Sequence, residues 1–479
     1  MSPTNLAICA VLFAASAIAQ SSSSCSATLT ASYPAPSLAS GYTARLVANN
    51  LTKPRSIHFD SAGRLLVVES GRGITALTLT DDGGSCLSVM NRQTVVADTN
   101  LNHGLELSSD EQTLYGSTSD VVYSWAYDAG AGTTSNRRTL VTGMQNSDHT
   151  TRTLLLSRKV NGTLLVSRGS ASNNDTGAAD IRSARSQIKS FNLNNLSDTS
   201  SLDYASAGTI LGWGLRNSVG VAEDPITGGI FSVENSVDNL ERNGEDVHEN
   251  NPGEELNFHG YLNGTRYSGQ GQNYGYPTCF AAWNVSEIPD NGALQVGSQF
   301  AIGSQNSTIN DDICANERIA PRLTFPAHWA PLDIKFNSNG DTAWITSHGS
   351  WNRDAPDGYL LFIVGFSNGM PTAASNSTTA VIPIMRNQDN SRCPDECFRP
   401  VGLAWDSRGR LFMTSDSTGE IYVVTQSDGS PVNGTTPATI STSPSPSPTQ
   451  SAAAIRLRLD IWLFVVVMMG GIVNALVWF

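Results

Sequence analysis

One phrase recurs six times along this chain and limits its fold more than any other feature. Each copy begins at a polar or cationic residue, continues as an alternating apolar strand, turns at a Gly-containing stretch such as DSAG or NSNG, and ends in a second strand. The copies occupy residues 54–70, 102–119, 149–170, 216–236, 330–350 and 399–424. Short β-branched strands that return in a repeated phrase are typical of a radial array of small antiparallel sheets.

The repeats predict an all-β fold, a six-bladed β-propeller that forms a single domain over residues 20–426. The copies are far enough apart to hold four strands each, with long insertions in the fourth and fifth. No stretch of helical period and useful length interrupts them. Radial repetition protects the edges of the sheets, and we expect residues 42–50 to supply a strand that closes the ring against the last blade.

The starts of the repeats are rich in cationic residues. Because the first strand of each blade lines the central channel, residues at these starts meet at one mouth. They are Arg55, His103, His149, Arg216, Asn217, His328, His348, Arg353 and Arg399. The whole chain has a net charge of −13, so a cationic mouth predicts an anionic ligand, whose carboxylates guanidinium groups bind bidentately. For any one of these residues, capping of a turn or bonding of a blade-end carbonyl is an equal alternative.

Two other functions stay open. A metal-dependent lactonase propeller would need Asp, Glu and Asn at the mouth, because Ca²⁺ takes oxygen ligands. Such residues are sparse at the strand starts but abundant in residues 233–262, which either bind Ca²⁺ or form a solvated acidic loop. The third candidate is a non-catalytic propeller that binds glycans or proteins, with residues 237–329 as a plug in the channel. The acidic net charge argues against a nucleic-acid partner.

The two ends of the chain indicate export. Residues 1–19 are typical of a secretory signal peptide. Residues 427–454 form a Ser/Thr/Pro-rich stalk, and residues 455–479 form a hydrophobic tail that is either a GPI-anchor signal or a transmembrane helix. We therefore expect an extracellular, glycosylated protein that is attached to the cell surface and meets the membrane through this C-terminal anchor.

Six cysteines remain after the predicted signal peptide. An even number of cysteines in an exported chain predicts disulfide bonds. Proximity along the chain favours Cys25–Cys86, Cys279–Cys314 and Cys393–Cys397. Other pairings and a zinc site at the CPDEC run are the alternatives.

Several motifs together resemble one enzyme family. They are SDHTTRTLLL, GWGLRNSVGVA, ENSVDN, PGEELN, NYGYP, APLDIKF, SHGSWNR and FRPVGLAWDSRGRLF. Their combination resembles the soluble quinoprotein glucose/sorbosone dehydrogenases, and more closely the fungal pyrroloquinoline-quinone (PQQ)-dependent pyranose dehydrogenase domain, over about residues 40–425. The resemblance implies PQQ and Ca²⁺ at the channel mouth, a small sugar as substrate, and an external electron acceptor such as a cytochrome or another redox protein.

The resemblance also implies roles for individual residues. His149, which follows Asp148, matches the catalytic base, and Arg216 with Asn217 matches a pair that reaches the quinone and its carboxylates. Arg399 matches an arginine on the last blade that binds a carboxylate.

Other positions are matched less closely. His348 stands where some relatives carry lysine and others histidine, and the Ca²⁺ ligands, which are main-chain carbonyls in the family, fall at Ser236 and Val237. Three further cofactor-binding candidates rest on their positions at the mouth, namely Arg55, His103 and Arg353.

The chemistry of the predicted reaction suits these residue types. A sugar hydroxyl must lose its proton while the adjacent C–H delivers a hydride to PQQ, and histidine is the usual base near neutral pH. Asp148 is expected to raise the basicity of the His149 ring, and Arg216 with Ca²⁺ is expected to stabilise developing negative charge. The sequence therefore predicts a PQQ-dependent dehydrogenase of pyranose sugars or aldos-2-uloses.

Overall fold

The computed structural model describes Cys25 and residues 28–194 and 196–434. The signal peptide predicted over 1–19, the tail predicted over 455–479 and most of the stalk predicted over 427–454 lie outside these residues. Within the described part of the chain, no helix has the length and apolar character needed to cross a bilayer.

The described residues form six antiparallel sheets, each with four principal strands, which we number as blades 1 to 6 in chain order and label a to d outward from the channel. The a strands contact one another in a closed ring that runs from blade 1 through blade 6 and back. The predicted six-bladed propeller is therefore confirmed.

The first three blades follow the first three repeats. Blade 1 consists of Pro54–Phe59, Leu65–Glu69, Gly73–Asp81 and Leu87–Val96. Blade 2 consists of Leu105–Leu107, Thr113–Ser117, Val122–Asp128 and Thr133–Thr142, with Leu202–Asp203 paired at its outer edge. Blade 3 consists of Leu154–Leu156, Thr163–Arg168, Gln187–Asn192 and Thr209–Trp213.

The last three blades follow the remaining repeats. Blade 4 consists of Ser218–Glu223, Gly229–Glu234, Glu254–Tyr261 and Leu323–Phe325. Blade 5 consists of Pro331–Phe336, Thr342–His348, Tyr359–Ser367 and Ile382–Arg386, with the short strands Ser37–Leu38 and Met370–Pro371 at its periphery. Blade 6 consists of Pro400–Trp405, Leu411–Ser415, Glu420–Gln426 and, as the predicted closing strand, Tyr42–Ala48.

Strands b are buried on both sides because each blade is covered by two neighbours. In Leu65–Glu69 and Leu411–Ser415 every residue is buried. Hydroxyl groups on b strands also connect adjacent blades. Thr346 donates to the Val401 carbonyl at 2.6 Å, and Thr414 donates to the Arg55 carbonyl at 2.9 Å. Such bonds satisfy main-chain carbonyls of the a strands that no sheet partner reaches.

The segment 237–329 is only partly an insertion. It contains strands c and d of blade 4, so the idea that the whole segment plugs the channel is wrong. The rest forms a satellite lobe with paired strands Glu241–Arg242 and Glu245–Asp246, paired strands Cys279–Ala281 and Gln299–Ala301, and helix Asp311–Glu317. The other short helices are 3₁₀ turns at Thr176–Ala179, Ile181–Ser183, Val285–Glu287 and Asn390–Arg392.

All three predicted disulfide pairings are confirmed. Cys279–Cys314 closes the satellite lobe, Cys25–Cys86 links the start of the described chain to blade 1, and Cys393–Cys397 is buried against Tyr359 in the connection from blade 5 to blade 6. The zinc alternative for the CPDEC run is therefore wrong.

An apolar cluster divides the channel. Val219, Leu332 and Val401 lie on the a strands of blades 4, 5 and 6 and are at most 6% exposed. On each strand, residues toward one end line a cavity of about 200 Å³, and residues toward the other end line a cavity of about 390 Å³. The two cavities share no lining residue, so this cluster, the channel floor, separates them.

Candidate active site

The smaller cavity lies at the mouth where the repeats begin. It is lined by His149, Arg216, Asn217, Asn235, Ser236, Asp238, Glu254, His328, Ala330, Leu332, His348, Gly349, Trp351 and Arg399. The predicted convergence of His149, Arg216, Asn217, His328, His348 and Arg399 is thus observed. The cavity is open to solvent along one side, because the Trp351 side chain on its rim is 67% exposed.

His149 sits in a turn that precedes strand a of blade 3, with a backbone φ of 38°. This left-handed conformation costs a non-glycine residue about 1–3 kcal/mol, so other contacts must hold it. Arg152 provides them. Its guanidinium is fully buried and donates to the carbonyls of His149 at 2.7 Å, Thr151 at 2.6 Å and Met144 at 2.6 Å.

The imidazole ring of His149 contacts Ser170 rather than Asp148. Its Nδ1 lies 2.8 Å from Ser170 Oγ and 3.2 Å from the Ser170 carbonyl. The Asp148 carboxylate instead accepts the main-chain N–H of His149 at 2.8 Å. Burial, reinforced by the positive charge of Arg216, lowers the pKa of His149 to about 4. The ring is therefore neutral at pH 7, and Asp148 acts on it only through its charge.

Arg216 is 4% exposed and is held by main-chain and side-chain acceptors on one side of the cavity. Its Nε donates to the Asn173 carbonyl at 3.0 Å, and one terminal nitrogen reaches the Asn173 amide oxygen at 2.7 Å. The same nitrogen forms an ion pair with Asp238 at 3.1 Å. The neighbouring Asn217 side-chain amide bonds no described residue, so it is available to a ligand.

Arg399 approaches the cavity from blade 6. Its Nε donates to the His348 carbonyl at 3.0 Å and one terminal nitrogen donates to the Gly349 carbonyl at 3.1 Å. Its other terminal nitrogen bonds no described residue. The ring of His348 donates from Nε2 to Asp416 at 2.8 Å, and burial lowers the pKa of His348 although Asp416 opposes that shift. His348 is thus a neutral member of the cavity wall.

Three predicted cofactor contacts lie outside the cavity lining. Arg55 pairs with Asp416 at 2.5 Å, and its Nε donates to His103 at 3.3 Å. His103 is 2% exposed, and burial together with Arg55 lowers its pKa well below the usual range. Arg353 donates to the Glu249 carbonyl at 2.6 Å and so fastens the satellite lobe to blade 5. Each of these three side chains already has a protein partner.

Asp238 lies between Arg216 and His328 at the rim. One oxygen pairs with Arg216, and the other lies 3.3 Å from Nδ1 of His328. His328 Nε2 bonds the His248 carbonyl at 2.6 Å, which only accepts, so this nitrogen carries a proton. Burial opposes protonation, but the bonds to Asp238 and His248 outweigh it and raise the pKa of His328. These contacts tie Asp238 and His248 of the satellite lobe to the mouth.

The two predicted metal positions differ in their surroundings. Ser236 lines the cavity and donates its main-chain N–H to Glu254 at 2.6 Å, whereas the Val237 side chain is buried in the core of the satellite lobe. The carbonyl oxygens of both residues accept no hydrogen bond from the described residues. Burial raises the pKa of Glu254 to about 7. The acidic segment 233–262 is thus divided: Glu254 and Glu255 are buried in strand c of blade 4, whereas Glu241, Glu245 and Asp246 are exposed to solvent.

Sequence reasoning missed four residues that shape the site: Ser170, Arg152, Asp416 and Trp351. Arg152 lies in the repeat, but its direction could not be read from the pattern. Asp416 and Ser170 stand one and two residues after a strand b, and because strands a and b are antiparallel, these positions lie at the same mouth as the repeat starts. The recurring polar residue directly after strand b is the signal that would have found them.

A six-bladed propeller whose mouth joins a buried neutral histidine to arginines has the architecture of the quinoprotein sugar dehydrogenases. The chain belongs to the TrAA12-like family, whose model matches residues 36–427. The family predicted from the motifs is thereby confirmed.

Individual relatives agree with this assignment. The chain is 51% identical over 401 residues to a pyrroloquinoline quinone-dependent sugar dehydrogenase of Hypocrea jecorina, covering 83% of this chain and 91% of the relative. It is 37% identical over 408 residues to a pyrroloquinoline quinone-dependent pyranose dehydrogenase of Coprinopsis cinerea, covering 82% of this chain but only 55% of that protein. A calcium structure of the Trichoderma reesei member of Carbohydrate-Active Enzymes Family AA12 superposes with a TM-score of 0.82 at 52% identity, covering 84% of this chain and all of that one, at 100%.

Proposed function

We propose that this protein oxidises pyranose sugars or aldos-2-uloses with PQQ as cofactor and His149 as the general base. One observation carries the proposal: a single cavity brings the neutral ring of His149 together with the guanidinium groups of Arg216 and Arg399. A proton acceptor and anchors for an anionic cofactor are the two things that such an oxidation requires.

The cavity fits PQQ, a quinone that bears three carboxylates. The terminal nitrogen of Arg399 and the amide of Asn217 are free to bond a ligand, and Arg216 adds positive charge beside them. Arginine and amide groups that converge in a partly enclosed cavity are well suited to hold carboxylates. Trp351 offers an indole face at the rim, where it can shield a bound ring from water.

Calcium fits through main-chain oxygen. Among the described residues, no group of three or more Asp, Glu, His or Cys side chains is arranged to hold a metal. The unbonded carbonyls of Ser236 and Val237 are instead the candidate ligands, together with oxygens of the cofactor itself. Hard oxygen donors are the ligands that Ca²⁺ prefers.

When bound, PQQ supplies the carbon that accepts a hydride from the sugar. The protein's part is to take the proton of the sugar hydroxyl on Nε2 of His149 and to orient the sugar at the rim. Arg216 lies close enough to lower the pKa of His149, so its charge also favours negative charge that develops in the cavity.

The electrons must then leave to an external acceptor, for which we propose a small redox protein, such as a cytochrome, or a diffusible oxidant. We further propose that the enzyme works outside the cell and is held at the surface by its C-terminal segment. The disulfide bonds support an oxidising compartment.

The test is to titrate the purified protein with PQQ, with and without Ca²⁺, and to follow dye reduction with pyranoses, aldos-2-uloses and, as a control reaction, lactone hydrolysis. Saturable PQQ binding and sugar-dependent dye reduction are expected. His149→Ala should keep PQQ binding and lose turnover, while His58→Ala, at the far end of the channel, should keep both. Failure of the protein to bind PQQ, or metal-dependent lactone hydrolysis in its place, would refute the proposal.

A further inference from the structure

The two acceptors around Nδ1 of His149 fix where its proton lies. The Ser170 carbonyl, 3.2 Å away, can only accept a hydrogen bond. The Ser170 hydroxyl, 2.8 Å away, already donates its one hydrogen to the Ser172 carbonyl at 2.7 Å, so toward the ring it also accepts. A neutral imidazole that faces two acceptors must present an N–H to them.

We propose that Ser170 is the positioning residue of the base: it holds His149 as the Nδ1–H tautomer and leaves the Nε2 lone pair for the cavity. The inference deepens the proposed function and depends on it for the catalytic consequence, but not for the tautomer itself. Nε2 bonds no described residue, and His149 lines the cavity. The free lone pair is therefore the one that a sugar hydroxyl can reach.

Ser170 is itself rigidly placed. It is fully buried, and its main-chain N–H donates to the Arg216 carbonyl at 2.8 Å, so the base and the cationic wall share one support. The preceding residue, Gly169, lies directly against the His149 side chain. A Cβ atom built on Gly169 would meet His149 Cβ at 2.7 Å and Asn217 Oδ1 at 2.7 Å. The ring is thus packed against this strand end as well as bonded to it.

A serine at this position has a further consequence, because its hydroxyl adds no charge. The charged groups that act on His149 are Arg216, Asp148 and Asp238, and burial with Arg216 prevails over the two carboxylates. The ring therefore remains unprotonated, and able to act as a base, well into the acid range. A carboxylate in place of the hydroxyl would form an ion pair with the imidazolium, and a close opposite charge shifts a pKa by about 1–3 units.

The tautomer can be read directly from ¹⁵N NMR of the full chain labelled in histidine, without PQQ, with His149→Gln used to assign the signal. The expected spectrum at neutral pH has a protonated Nδ1 and an unprotonated Nε2 for His149. Ser170→Ala should mix the two tautomers, and Ser170→Thr, which keeps the hydroxyl, should restore one. Ser147→Ala is the matched control, since its hydroxyl bonds the Ala171 carbonyl nearby without touching the ring.

The pH dependence gives a second readout. Ser170→Asp should raise the pKa of His149 by about 1–3 units and shift the acid limb of kcat upward by the same amount. A wild-type signal with the proton on Nε2, or a tautomer unchanged in folded Ser170→Ala, would overturn the inference. Absence of PQQ binding with the expected tautomer would instead defeat only the proposed function, so the two failures are distinguishable.

Discussion

We expect the guanidinium of Arg152 to hold the left-handed backbone conformation of His149, and substitution of Arg152 tests this. The substitution Arg152→Met keeps an unbranched side chain of similar length in the same buried space but removes the guanidinium. Three carbonyl groups then lose a donor, those of Met144, His149 and Thr151. Because Arg152 is fully buried, water cannot easily replace these bonds.

The size of the effect follows from these contacts. Hydrogen bonds from a charged donor contribute about 1.5–3 kcal/mol each. The desolvation of the guanidinium, which lowers its pKa to about 10, offsets part of that gain, so we expect a net loss of about 3 kcal/mol in the free energy of unfolding. The strain of a left-handed residue is about 1–3 kcal/mol. If loss of Arg152 makes the productive conformer of His149 less favourable by about 1.4 kcal/mol, the population of that conformer falls about tenfold.

The measurement combines urea unfolding with kcat determined at a temperature where every variant is fully folded. Arg242→Met is the matched control, because Arg242 is also fully buried and bonds the Ala301 carbonyl and the Asp311 carboxylate in the satellite lobe without touching His149. Both variants should lose stability, but only Arg152→Met should lose about tenfold or more in kcat. Equal kcat values in the two folded variants would refute the idea that Arg152 holds the turn.

Three further predictions concern the rim and the lobe. The pKa of His328 is raised, so its pair with Asp238 stabilises the fold fully below the unfolded value of about 6.5 and loses that effect as pH rises through the folded pKa; Asp238→Asn should flatten this part of a stability–pH curve. Removing the Cys279–Cys314 bond, which closes a 35-residue separation, by the paired substitutions Cys279→Ala and Cys314→Ala should cost about 4 kcal/mol, measured as a shift in the urea-unfolding midpoint. Gly169→Ala should lower both kcat and PQQ affinity, because the new methyl group would meet His149 Cβ and Asn217 Oδ1, each at 2.7 Å; full retention of both would contradict this.

The fold could be predicted from the sequence because the blades of a propeller share one sequence pattern, which is repeated along the chain. Strands a and b of a blade are neighbours in sequence and pair with each other. Local alternation of apolar residues is therefore enough to predict both strands. The outer strands are less regular. In blade 4, strand d follows strand c only after the satellite lobe, so Leu323–Phe325 was read as part of an insertion.

The candidate site was predicted in part. Position at a strand start predicts which mouth a residue approaches, and this was sufficient for Arg216 and Arg399. It does not predict which partner the side chain finds. Arg55 turns to Asp416, an acceptor that follows strand b of blade 6, and is withdrawn from the cavity by that ion pair. Asp148 was expected to act on the ring of His149 because it is the preceding residue. Its carboxylate instead accepts the main-chain N–H of His149.

The channel floor formed by Val219, Leu332 and Val401 closes the inner end of the mouth cavity, so the cavity has one entrance. Sugar, oxidised product and electron acceptor all have to pass this entrance. Because the sugar and the acceptor approach the proposed PQQ site from the same side, each must depart before the next arrives. We therefore expect oxidation of the sugar and transfer of electrons to the acceptor to alternate. Double-reciprocal plots of the two-substrate kinetics should then show the parallel lines of a ping-pong mechanism.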